Sequence, residues 1–246
     1  MKITVWDIEA SSLNASFGML LTVCCGDVGE KKIDSYNLLD YKRRGETIFD
    51  AERKLLIDVS ARLLEADVWL GWYSKKYDLP FVQSRLIKHH LPILPHNFPH
   101  IDGWMTAKYR LRLPSNRLAT VQDFLGVEHS KTKIDPDSWL LAMSGDKEAM
   151  EVILHHNRLD IEVLREVYDR IKPLITDHPH RGLVGPAVEC GICGSSKMQR
   201  RGFHLTRTRK YQRYQCQECG AWTRGTKPTM IVSNMVKDSK RKETAA

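Results

Sequence analysis

The sequence predicts an α/β protein, a mixed β-sheet flanked by helices, followed by a small cysteine-bearing module. Three observations carry that expectation. Strand-like segments cluster early and then alternate with one-faced helical patterns, the order of a mixed sheet with helices packed on it. Four of the six cysteines fall in the last quarter, as two C-x2-C pairs. The charge divides in the same region: residues 181–246 hold 14 Lys+Arg against 4 Asp+Glu, whereas residues 1–180 are close to neutral.

Each element has its own signal. "KITVWDIE" (2–9) is rich in β-branched and aromatic residues and reads as a buried strand ending in carboxylates. "MLLTVCCGDV" (19–28) and "KKIDSYNLL" (31–39) follow as strands at hairpin distances, with Cys24 and Cys25 as small core residues. Residues 50–66 place Leu55, Leu56, Val59, Leu63 and Leu64 at one-faced helical spacing. "DVWLGW" (67–72) is a short strand. "LPFVQSRLIKHH" (79–90) is a helix with Pro80 in its first turn, where a missing N–H is harmless. "PHIDGW" (99–104) is a short strand or turn, and "LATVQDFLG" (118–126) a short helix closed by Gly126. Residues 146–172 carry the longest helical pattern, stopped near Pro173.

Residues 173–187 contain prolines and glycines without periodicity and mark a linker. The expected organisation is a catalytic-sized domain over 1–172, the linker, a cysteine module over 188–228, and a basic, disordered tail over 229–246. No apolar run approaches the roughly 18–20 residues of a membrane span. Charges interrupt "MKITVWDIEA" before any apolar signal region could form. The expected location is cytoplasmic, without membrane contact.

The chemistry-bearing residues are carboxylates and cysteines. Asp7 and Glu9 are two apart in a strand, so both side chains face one side. They repel unless a cation lies between them, and a hard ion such as Mg²⁺ or Mn²⁺ prefers such oxygen ligands. Asp78 opens a helix after a strand and polar turn; it is either a helix cap or a further ligand. In "EVILHHNRLDIEVL" His156 and Asp160 are four apart and share a helix face, while His155 is five away and points elsewhere. Alone, that stretch also reads as a polar stripe.

Together the three motifs resemble the DEDD, or DnaQ-like, superfamily of 3′–5′ exonucleases on a ribonuclease-H-like fold. "WDIEA" matches the first motif, "GWYSKKYDLPF" the second, and "HHNRLD" part of the third, over roughly residues 1–172. The resemblance implies two Mg²⁺ or Mn²⁺ ions. Asp7 would bridge them, Glu9 and Asp160 would complete one site, and Asp78 would hold the other. A histidine beside Asp160 would accept the proton of the attacking water. His156 occupies the place of the tyrosine in one subgroup, and His155 the place of the histidine in the other. After the first motif the family often has Thr and Gly; here Ser11 and Ser12 are the candidates to grip the substrate.

The pairs Cys190/Cys193 and Cys216/Cys219, 22 residues apart, have the spacing of a zinc ribbon holding one structural Zn²⁺. Between them Arg200, Arg201, Arg207, Arg209, Lys210 and Arg213 interleave with aromatics that include Tyr211. Basic side chains meet phosphates, and aromatics can stack on bases. The expected partner is nucleic acid, DNA or RNA, with a protein partner for the ribbon as the alternative. The leading expectation is a 3′–5′ exonuclease. A structure-selective endonuclease and a non-catalytic nucleic-acid-binding or recruitment protein are the alternatives.

Overall fold

A computed structural model describes residues 1–128, 134–183, 189–206 and 208–232. The chain divides into two compact units, Met1–Asp177 and His178–Ala246. The expected mixed α/β architecture is present in the first.

Its elements are β1 (Ile3–Ala10), β2 (Leu20–Asp27), β3 (Asp34–Asn37), α1 (Ile48–Leu64), β4 (Val68–Gly71), α2 (Asp78–Lys88), β5 (His100–Asp102), α3 (Gly103–Arg110), α4 (Leu118–Leu125), α5 (Pro136–Ser144) and α6 (Lys147–Ile171). The sheet order is β3-β2-β1-β4-β5. β1 pairs antiparallel with β2 and parallel with β4, so the strand carrying Asp7 and Glu9 is central. The expected third strand is shorter than its apolar pattern: Leu38–Tyr41 is a 3₁₀ turn, capped by Asn37, whose side chain accepts from Asp40 N. Two helices, α3 and α5, were absent from the sequence expectation.

Alternation along β1 separates two cores. Trp6 and Ile8 pack with Leu55, Leu56, Val59 and Leu63 of α1 and Phe81 and Leu86 of α2. Ile3 and Val5 pack on the other face with Leu154, Ile161, Leu164 and Tyr168 of α6. Asp7 and Glu9 share the parity of Ile3 and Val5, so the pleat turns both carboxylates toward α6. Cys24 and Cys25 are fully buried, one in each core.

The second unit holds β6 (Met198–Leu205), β7 (Arg209–Cys216), β8 (Trp222–Arg224) and β9 (Met230–Ile231). β7 pairs antiparallel with each of the others. Pairing of β6 with β7 shifts between Arg200 and Phe203, where Gly202 takes φ +67°, a conformation glycine adopts without strain.

Candidate active site

Three elements deliver five side chains to one place. β1 supplies Asp7 and Glu9, the start of α2 supplies Asp78, and α6 supplies His156 and Asp160. His156 Nε2 lies 3.9 Å from Glu9 Oε1 and 3.7 Å from Asp160 Oδ2. One ligand atom from each of these three falls within 4.8 Å of the others. α6 is unbroken from Lys147 to Ile171, which keeps His156 on the Asp160 face. His155 is exposed and lies outside that trio.

Asp78 does not act as a helix cap in the expected sense. Tyr77 stands at the N-cap position, and the Asp78 carboxylate instead accepts from Ile8 N at 3.3 Å, tying α2 to the strand between the two β1 carboxylates. The turn leading to it is fixed from beneath. Asp102 accepts from Tyr73 N at 2.9 Å, Lys75 N at 3.2 Å and Trp104 N at 3.0 Å. Gly71 is required there because a Cβ would fall 2.3 Å from Ser74 Oγ, which is itself bonded to His100.

One residue of the site went unread in the sequence. Asn157 is fully buried; its Nδ2 donates to Asp7 Oδ2 at 2.6 Å, and its Oδ1 accepts from Thr22 Oγ1 at 3.2 Å. The amide thus holds one oxygen of Asp7 and leaves the orientation of the other fixed. The readable signal was its polarity at a buried helical position, next to His156 and three before Asp160.

The electrostatics are those of an acidic group short of positive charge. Burial, reinforced by Asp78, Asp160 and Glu9, pushes Asp7 well above the carboxylate range, against the Asn157 bond. Burial and then Asp160 and Asp78 raise Glu9 to about 8. Burial raises Asp78 to about 7 against backbone N–H donation, and it raises Asp160 against the pull of His156. Among the described residues no lysine or arginine pairs with any of the four. An oxygen-rich set of this kind fits a hard divalent cation, whose charge would relieve the repulsion.

The loop between β1 and β2 closes on itself. Ser11 Oγ accepts from Met19 N at 2.9 Å, and Ser12 Oγ from Asn14 N at 3.2 Å. The loop borders a cavity of about 460 Å³, lined by Leu13, Asn14, Tyr77, Phe81, Ser84 and Lys88 among others.

In the second unit the four cysteine sulfurs converge within 4.8 Å of one another. Cys190–Cys219 and Cys193–Cys216 Sγ atoms are 3.8 and 3.6 Å apart. A disulfide needs about 2.05 Å. Four sulfurs at about 2.3 Å from a tetrahedral zinc lie about 3.8 Å apart, so the cluster could hold zinc. Burial raises the Cys216 thiol, but N–H donation from Cys219 and Glu218, together with the Cys193 and Cys219 thiols, outweighs it and brings the group to about 7. Of the expected nucleic-acid contacts, Arg200, Arg201, Arg209 and Arg213 are exposed and Lys210 is half-buried. Arg207 lies outside the described residues. Tyr211 departs from expectation: it is buried, with the Arg224 guanidinium 4.2 Å above its ring, so it supports that arginine and presents no open face.

A family model of the RNase_H superfamily matches residues 5–172. The chain belongs to the RNase_H superfamily. Members are mostly nucleases and usually use divalent metals. Among solved structures, the chain is similar to the family B DNA polymerase from the hyperthermophilic archaeon Pyrobaculum calidifontis, with a TM-score of 0.54 and 12% identity. The match covers 70% of this chain and 25% of the polymerase, and the likeness is one of fold. No curated protein matches the sequence. Among the described residues of this RNase_H superfamily chain, no helix is long and apolar enough to cross a membrane.

Proposed function

We propose that the chain is a metal-dependent 3′–5′ exonuclease of nucleic acid. The carrying observation is the convergence of Asp7, Glu9, Asp78 and Asp160, with no lysine or arginine partner among the described residues and with His156 Nε2 within 4 Å of two of them. The four carboxylates would hold two Mg²⁺ or Mn²⁺ ions. When bound, such ions lower the pKa of water and stabilise the oxygen leaving phosphorus.

The chain's own groups do the rest. Asn157 fixes the Asp7 carboxylate. The Ile8 N–H fixes Asp78. His156 Nε2 accepts the proton of the attacking water, and Asp160, one turn along α6, holds the imidazolium formed. His155, exposed, has no part in this scheme. The groove between the 11–18 loop and α2 receives the strand end. The basic second unit adds affinity, and Cys190, Cys193, Cys216 and Cys219 hold a structural zinc.

End-labelled DNA and RNA, single- and double-stranded, incubated with Mg²⁺ or Mn²⁺ test the proposal. Stepwise loss from the 3′ end is expected, and Asp7→Ala should abolish it. Cleavage of circular substrates would replace this reading with an endonuclease. Binding without cleavage under either ion would replace it with a recruitment protein.

A further inference from the structure

We propose that one face of the β7–β8 ribbon, built on Arg213, Arg224 and Trp222, binds single-stranded nucleic acid, with a base stacked on Trp222 and a phosphate between the two guanidiniums. This deepens the nucleic-acid reading above and rests on it, but it does not depend on cleavage.

The register places Arg213 directly opposite Arg224, and Gln215 opposite Trp222. Side chains alternate along a strand, so Tyr211, Arg213 and Gln215 share a face with Trp222 and Arg224. The ring contacts agree: Arg224 lies 4.2 Å over Tyr211 and Arg213 5.0 Å from the Trp222 centroid. Lys210, one residue over, covers Phe203 on the opposite face, at 3.9 Å.

Two like charges directly opposed across a strand pair are destabilising unless something offsets them. Among the described residues neither arginine has a carboxylate partner. The aromatic rings beneath them hold the guanidiniums in place without neutralising them. Arg213 is further held by the bond from its Nε to Arg201 O at 3.1 Å. From Lys197 to Val232 the sequence has nine Lys+Arg and one acid, Glu218, which is paired with Lys197. The missing complement is therefore an anion, and a phosphate suits a pair of guanidinium forks.

Trp222 decides which polyanion. It is 53% exposed, an uneconomical place for an indole on a soluble surface. An exposed ring beside a phosphate-sized cationic site fits an unpaired nucleotide, whose base presents a π-face. A duplex keeps its bases stacked inside, and a run of acidic residues such as polyglutamate has no ring to offer.

The test uses the full chain without added magnesium, so that nothing is cut. Anisotropy is read for labelled oligothymidylate, an abasic strand with the same phosphates, a duplex of equal length and a polyglutamate peptide. W222A should weaken oligothymidylate binding roughly tenfold and leave abasic binding within about twofold, and W222F should restore most of the loss. R213Q with R224Q, which removes the one phosphate contact, should reduce the salt slope on both strands by about 0.7. Zinc content is measured for every variant. If W222A loses zinc, the difference between W222F and W222L carries the same comparison. Equal loss on abasic and base-bearing strands, tighter binding of the duplex, or equal binding of polyglutamate would each overturn the assignment. A chain that binds in this way but never cleaves would refute the exonuclease and leave this site standing.

Discussion

Two acidic sites in the first unit, one fully buried and one half-buried, solve the same problem in opposite ways. Glu52 of α1 is fully buried and surrounded by donors. Its Oε1 accepts from Leu20 N at 2.9 Å and Arg85 Nε at 2.8 Å; its Oε2 accepts from Arg85 Nη2 and stands 2.7 Å from His89 Nε2. The Asp7 cluster places four carboxylates together with one amide, one backbone N–H and one imidazole. The first site brings its cation from within the chain. The second has no lysine or arginine partner among the described residues, and in the proposed function a divalent cation takes that part. Burying a carboxylate is costly unless it is paired, and the two sites differ in whether the chain itself supplies the pairing charge.

Four changes would break or sharpen this contrast. The largest effect is expected from Asp7→Asn, which should lower cleavage on the order of 10⁴-fold, about 5.5 kcal/mol of barrier. The same change should leave metal-free stability unchanged or raised, because it removes a carboxyl whose ionisation the cluster opposes. A fall in unfolding midpoint of the metal-free variant would contradict the account of the cluster.

Glu52→Gln should do the reverse. It strands Arg85 in the core and should cost roughly 3–5 kcal/mol, a drop of about 10 °C in Tm, without altering metal affinity in the remaining folded protein. Calorimetry of the two variants side by side reads the contrast directly.

Asn157→Leu should weaken Mn²⁺ binding about 10- to 100-fold, since it frees Asp7 to rotate; titration by calorimetry checks this. An unchanged affinity would reduce Asn157 to a packing role.

The smallest effect is on pH. Glu9 and Asp78 are raised in the folded protein to about 8 and about 7, above their unfolded values near 4. A raised folded pKa means the folded state holds its proton longer. The contribution of these two groups to metal-free stability is therefore fullest below about pH 4 and is lost as pH rises through 7 and 8. Tm without divalent ions should drop by a few degrees between pH 6 and pH 8, and saturating Mg²⁺ should flatten the slope. A Tm that rises with pH in the metal-free protein would reverse the sign and discard the explanation.

The sequence was informative where one side chain decides the structure and mute where pairs do. β1, β2, α1 and α6 follow from apolar runs and periodicity. α5 carried a readable signature: Asp135 caps it, Pro136 begins it and Gly145 ends it with φ +98°. α3 did not, because it starts at Gly103 immediately after a strand and its cap, Asp102, also serves the turn before α2. Of the site, Asp7, Glu9, Asp78, His156 and Asp160 were nameable as motif residues. Asn157 was not, since its meaning lies in an oxygen 150 positions away. Glu52 was visible as a charge within the buried stripe of α1, yet only the fold supplies Arg85 and His89. Trp222 illustrates the same limit: its exposure depends on register, which the sequence does not state.

α6 carries His156, Asn157 and Asp160 on one uninterrupted run of 25 residues. It has a consequence for how the protein can change over generations. Substitutions along its wet face alter one contact each. A single inserted residue between Asn157 and Asp160 would turn everything after it by about 100°. Asp160 would leave the cluster, and the apolar stripe of Ile161, Leu164 and Tyr168 would leave the sheet with it. The helix should therefore accept many replacements and almost no change of length.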